Sequence, residues 1–395
     1  MNNEEIRLIN KTDNQILYWQ YAEFLKFMGL FIVNDNKSAR KLPGEVVKSI
    51  PVVTVNNDSN FELDMKRLFP DGDDIVKIYN KYNLTRAASI LRLFAYGSGA
   101  VYKAGEYFYK AAGELDKISE SSGDWRLKYA TLYCKQKANY SSYLCDIYLY
   151  YNIEKLLKEA ESLINTVKNI GYNPACVYLL KGMIAKISKE FKMKSIEEMV
   201  KAREYAEGKL FKSEILFEVG VNCDNIEELN YMKNDAYELA YNLNPIYQHT
   251  YKFAFQFFKG EEYSFAIKFF KECLDQIGCN INKTCSDPLA QEFYFKTCSH
   301  LANIYNIKGE YLTAINYAEK AIDLRNKIYC EKDDSEGYDK IYYDLSKDIC
   351  IVECLIDIEL KRMNINPLYR NLANSYLGLG LKNESNEYFR LLKNL

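Results

Sequence analysis

Proline and glycine are scarce in this chain, 7 and 18 of 395 residues. Both interrupt helices, so their scarcity suits long helical segments. Histidine is scarcer still: His249 and His300 are the only two, and a histidine-based metal site would need cysteine or carboxylate ligands as well. A basic excess is missing too. The formal net charge is -2, which leaves no global field to hold a polyanion and speaks against nucleic acid as partner. Lys, Glu and Asp break up every apolar stretch before it is long enough to span a bilayer, so no membrane association is expected. Met1 to Asn10 is polar and acidic and lacks the basic start and apolar run of a signal peptide. The 11 cysteines are spread along the chain without a dense framework. Together these features predict a cytoplasmic protein whose thiols act as small buried hydrophobes.

The search for chemistry is equally sparse. There is no Walker loop and no GxGxxG. Tyr96-Gly97-Ser98-Gly99-Ala100 lacks the following Lys-Ser/Thr, and a close helix crossing explains it better. Asp71-Gly72-Asp73-Asp74 lacks the later ligands of a calcium loop and reads as a turn whose Asp73 or Asp74 caps the next helix. Cys273, Cys279, Cys285 and Cys298 do not have zinc-site spacing; Cys350 and Cys354 stand at i,i+4 but without further ligands. The expectation is therefore no enzyme, no catalytic residues, no cofactor and no metal.

What is present divides into three regions. Residues 1–73 carry two short β-branched runs, Leu30 to Val33 and Pro51 to Val55, each ending in Asn/Asp turn chemistry, with Ile6 to Ile9 as a third candidate. Asp13 to Met28 places Tyr18, Ala22, Leu25 and Met28 on one helical face before Gly29. This pattern predicts a small parallel α/β domain. Residues 74–170 are helical, an α-α solenoid or a bundle. Residues 171–395 show helical periodicity with short breaks at Gly171 to Pro174, Asn244-Pro245, Gly278 to Pro288, Asp333 to Gly337 and Asn364 to Pro367.

Within that last region a pattern repeats. Ala302, Tyr305, Gly309, Tyr311, Ala314 and Ala321 have counterparts in Ala254, Phe257, Gly260, Tyr263, Ala266 and Cys273, with Gly260 displaced by one. A third copy runs from Leu372-Ala373 through Tyr376 and Gly380 to Ser385, Phe389 and Leu392. These stretches resemble the tetratricopeptide repeat, a helix-turn-helix of about 34 residues. Asn173 to Glu207 and Phe211 to Pro245 read as further pairs, with Ala202, Ala206, Ala236 and Ala240 in their second helices. Leu84 to Ile118, Asp124 to Asn169 and Tyr338 to Met363 are helical but distant from the pattern. The fold expected is mainly α: a tetratricopeptide-like superhelix, or solenoid, behind a small parallel α/β domain.

The resemblance implies a function. In such arrays the first helices of successive pairs line a concave face that receives a peptide or protein. The non-consensus positions of those helices are Tyr251, Phe255 and Phe258 in one repeat and His300, Asn303 and Asn306 in the next. Aromatic and amide side chains pair apolar area with hydrogen-bonding capacity. The expected role is a protein- or peptide-binding scaffold. A peptide-responsive regulatory sensor of the bacterial tetratricopeptide receptor type is the alternative, although the helix-turn-helix DNA-binding domain of that class is not recognisable. The start of the chain, Lys11-Thr12-Asp13 between a strand and a helix, resembles the opening of flavodoxin-like signalling domains such as the TIR and receiver types, which leaves a nucleotide-handling enzyme as a lesser alternative. Homo-oligomers formed through an uncapped end of the array are a further expectation.

Overall fold

The computed structural model describes residue 27 and residues 74–93, 99–224, 226–278, 288–330 and 363–393. Two compact units divide at Pro245/Ile246, at a break the sequence marks only as a turn between repeats. Among the described residues there is no strand. The α/β domain expected over 1–73, with its strands at 30–33 and 51–55, lies outside the described residues except for Phe27. That residue is helical, as the Asp13 to Met28 pattern predicts, and fully buried. Its ring packs on Tyr79 and Tyr133 at centroid distances of 4.6 and 5.8 Å. The helix expected over Tyr338 to Met363 also falls outside the described residues, apart from Met363.

The first unit contains α1 (Asp74–Lys81), α2 (Leu84–Leu93), α3 (Gly99–Ser122), α4 (Trp125–Leu144), α5 (Ile153–Asn169), α6 (Ala175–Ala185), α7 (Lys192–Tyr205), α8 (Lys209–Cys223) and α9 (Asn230–Leu243). From α2 onward each helix packs on its neighbour in sequence, and α2, α4 and α6 also touch in series. That is the contact pattern of nested antiparallel hairpins, and the pairs α6/α7 and α8/α9 fall where the periodicity placed them. Helices α4 and α6 are barely amphipathic. Ten of the eleven residues of α6 are buried, and in α4 even Lys135, Gln136 and Lys137 are covered. A helix enclosed on all sides has no polar face to show, which is why periodicity alone reads this region poorly.

The second unit contains α10 (Tyr247–Lys259), α11 (Tyr263–Ile277), α12 (Pro288–Ile307), α13 (Tyr311–Cys330), α14 (Asn366–Gly378) and α15 (Lys382–Lys393). Three hairpins, α10/α11, α12/α13 and α14/α15, stack so that α10 touches α12 and α12 touches α14. The predicted small positions are the contact points: Ala254, Ala266, Cys273, Ala302, Ala314, Ala321 and Ala373 are all fully buried. Small side chains let two helix axes approach until the knobs of one reach the backbone of the other.

An unforeseen regularity accompanies them. Phe257 stacks on Phe269, Tyr305 on Tyr317 and Tyr376 on Tyr388, at 5.5, 5.7 and 5.7 Å with nearly parallel rings. The sequence interval is the same in each, so every hairpin is pinned by one first-helix ring against one second-helix ring. The intervening turns match as well. The backbone N–H of Glu262, Glu310 and Leu381 donates to the carbonyl of Phe257, Tyr305 and Tyr376. Such a closure needs one left-handed residue. Gly309 (φ 74°) and Gly380 (φ 80°) supply it in two turns. In the first the position falls to Glu261 (φ 59°), because Gly260 stands one residue early.

Candidate functional site

The six residues singled out from the sequence lie on α10 and α12, in the row of first helices of the second unit that α14 continues. They separate into two neighbouring places. At the first, Tyr251, Phe255 and Phe258 recur along one side of α10 at helical spacing and meet His300 of α12. The His300 ring lies 5.2 Å from Phe255, 4.8 Å from Phe258 and 5.4 Å, stacked, from Phe270 of α11. Its Nε2 shares a hydrogen bond of 3.1 Å with the Tyr251 hydroxyl. Burial, and then the positive charges of Lys296 and Lys259, push the imidazole down to about 4, so it is neutral at physiological pH. Tyr251 is only 8% exposed and is closed in by Phe255, Phe270 and Phe293. Although predicted as a contact residue, it supports the site from below; the half-buried surface belongs to Phe255, Phe258 and His300.

The second place is a cleft of about 420 Å³ between α12 and α14, lined by Asn303, Ile307, Tyr311, Asn374, Leu377 and Gly378 among others. Asn303 and Asn374 make no side-chain hydrogen bond to another described residue, and Ile307 and Leu377 are 55% and 52% exposed. Asn306 is different. Its amide donates to the Asn371 carbonyl at 2.7 Å and accepts from the Ser375 hydroxyl at 2.8 Å, while the Asn371 amide reaches the Ser299 carbonyl at 3.4 Å. Asn306 therefore staples α12 to α14, and its polar groups are occupied by the fold. Gly378 was not legible as a site residue. A β-carbon there would meet the Tyr311 ring at 2.3 Å, so only glycine lets that ring form one wall of the cleft.

Cys273 donates to the Tyr247 carbonyl at 3.3 Å, and burial pushes its thiol, like that of Cys298, up to about 12. No group of three or more His, Cys, Asp or Glu among the described residues could hold a metal ion, and Cys279, Cys285, Cys350 and Cys354 lie outside those residues. His249, on α10, is buried. No helix is long and apolar enough to cross a membrane among the described residues.

Stacked antiparallel hairpins with small residues at matched depths, and a row of first helices carrying half-buried rings and amides, make a helical repeat of the tetratricopeptide-like kind. No protein-family model matches the chain, and no curated protein matches it. Among solved structures, yeast Tom70 is similar at a TM-score of 0.43 and 15% identity, over 83% of this chain. The match covers 61% of Tom70, less than two thirds of its length.

Proposed function

We propose that the chain is a protein-binding scaffold, and that the first-helix row of its second unit receives an extended segment of a partner protein. The observation that carries this reading is the α12/α14 cleft. Two amides without a partner among the described residues stand beside two half-exposed aliphatic side chains, at a place where the fold's own hydrogen bonds are already satisfied by Asn306 and Asn371. A carboxamide both donates and accepts, so it matches the alternating N–H and C=O groups of an extended backbone. Flanking apolar surface supplies the hydrophobic part of the contact.

Selection of randomised short peptides against the full chain, followed by titration of the enriched ones, tests this. Asn303→Ala with Asn374→Ala should weaken binding several-fold and leave the melting temperature unchanged, because both amides lie outside the packing. Enriched peptides that bind this double variant as well as the parent would remove the cleft from the function.

A further inference from the structure

The aromatic place beside the cleft narrows the chemistry of the segment, on the footing of the scaffold reading above. His300, Asn303 and Ile307 fall at i, i+3 and i+7 on α12, so the aromatic step and the amide cleft form one stripe. At 1.5 Å per residue the stripe from His300 to Ile307 is about 10 Å long, which about three residues of an extended peptide would span. Phe255, Phe258 and His300 present half-buried ring faces. Lys259, exposed at the end of α10, lies with its ammonium 5.5 Å from the Phe255 ring centroid and makes no ion pair among the described residues. Glu261 and Glu262 follow on the turn without pairing to it.

A cluster of rings can take either a cation or an apolar group, and the surrounding charges decide between them. Aromatic faces attract cations through their quadrupole. Here a lysine already stands over Phe255, and Lys296, salt-bridged to Glu292 along α12, adds a second positive charge on the His300 side. Burial, and then Lys296 and Lys259, hold the His300 ring neutral. A cationic side chain entering this place would meet like charge; a carboxylate would meet Lys259 with no competing acid bound to it.

We infer that the partner segment is both acidic and apolar, seating an aliphatic or aromatic side chain on Phe255, Phe258 and His300 and a neighbouring carboxylate against Lys259. The apolar group gains by covering ring surface that is otherwise wet. The carboxylate fixes register and speeds encounter, and its contribution falls as salt rises.

The same peptide selection, run at low ionic strength on the full chain, tests this separately from the scaffold reading. Enriched peptides should place Asp or Glu within a residue or two of Phe, Leu, Met or Trp. Measured by fluorescence anisotropy, they should weaken several-fold on Lys259→Glu and lose most of their salt dependence; Phe258→Ala should weaken them with the salt dependence kept. Lys259 is exposed, so its replacement leaves the fold intact, and circular dichroism checks this for both variants. Peptides without acidic bias, or binding indifferent to Lys259→Glu, overturn the inference; if the same peptides still respond to Asn303→Ala with Asn374→Ala, the scaffold reading stands. Indifference to all of these substitutions sinks both.

Discussion

In the first unit the close approach within a hairpin is made by glycine. The β-carbon that Gly220 lacks would sit 2.6 Å from the Tyr237 ring across α8/α9, and that of Gly182 would sit 2.7 Å from Met199 across α6/α7. In the second unit Ala254 and Ala302 hold the equivalent depth, and paired rings pin each hairpin. The polar ties differ as well. Lys135 of α4 reaches Asp116 of α3 and Glu159 of α5, Lys181 of α6 reaches Glu161 of α5 and Glu198 of α7, and Lys186 reaches Glu218 of α8. The corresponding pairs described in the second unit, Lys296–Glu292 and Lys308–Glu310, join near neighbours in sequence, and the hydrogen bonds described between the first helices of its hairpins are uncharged: the Tyr251 hydroxyl with His300, and the Asn306 amide with Asn371 and Ser375. One hairpin architecture is thus reached with two sets of materials. The first unit relies on glycine and lysines buried between helices; the second relies on alanine, stacked rings and asparagine. The aromatic place and the amide cleft belong to the second.

The sharpest way to break this comparison is Lys181→Met. It removes the ammonium held between two carboxylates and leaves Glu198, 3% exposed, with Lys201 alone. Breaking a buried ion pair costs about 3–5 kcal/mol, and the remaining Lys201 places this variant towards the lower end. Trp125 opens α4 and the second unit's residues, 246–395, contain no tryptophan, so a urea melt followed by tryptophan fluorescence should shift strongly. If the second unit rests on its own ties, hydrogen exchange in α10 to α15 should barely change. Equal loss of protection in both units would erase the distinction.

A smaller effect is expected for Gly220→Ala. The added carbon must displace the Tyr237 ring, which is fully buried and whose hydroxyl donates to Asp224 at 2.9 Å. Overpacking of this kind costs about 1–3 kcal/mol, against the gain of about 1 kcal/mol that alanine gives in an uncrowded helix. Denaturant titration should therefore show net destabilisation; a stabilised variant would mean that the glycine is not a contact.

The second unit should carry a pH signature. His300 titrates near 4 in the folded chain and near its ordinary 6.5 when unfolded. Its contribution to stability is fully present above about 6.5 and is lost as pH falls towards about 4, because only the unfolded state takes up the proton readily. His300→Phe should flatten the fall in melting temperature across that window. An unchanged slope would assign the acid sensitivity to other groups.

The smallest change sharpens the comparison within the second unit itself. Glu261 occupies the left-handed position that glycine fills in the two following turns. Glu261→Gly should raise stability by up to about 1 kcal/mol, since the steric cost removed slightly exceeds the entropy glycine adds to the unfolded chain. A fall in thermal midpoint would show that the turn does not hold this geometry in solution.

How much of this was legible follows from the same materials. The second unit could be read because alanine and aromatic residues recur at fixed depth, and the displaced Gly260 already announced the irregular turn. The ring partners Phe269, Tyr317 and Tyr388 were missed although their interval is regular; a search for two-ring spacing would have found them. Gly182 and Gly220 were missed because a lone glycine in a helical run reads as a break. The row α10, α12 and α14 was legible as helices, but which of its side chains the fold encloses was not. Tyr251 and Asn306 carry the right chemistry at the right spacing and are nevertheless enclosed by the fold, whereas Asn374, Leu377 and Gly378 complete the cleft without having been marked.

The sequence by itself determined the helices, their pairing over Asn173 to Pro245 and the three hairpins of the second unit, because spacing along a chain fixes which side chains share a helical face. Tertiary structure alone decided the division at Pro245, the burial of Lys135 and Lys181 among carboxylates and which amides remain available. Those properties depend on what a neighbouring helix brings within a few ångströms, and no local period encodes the distance between residues that are far apart in the chain.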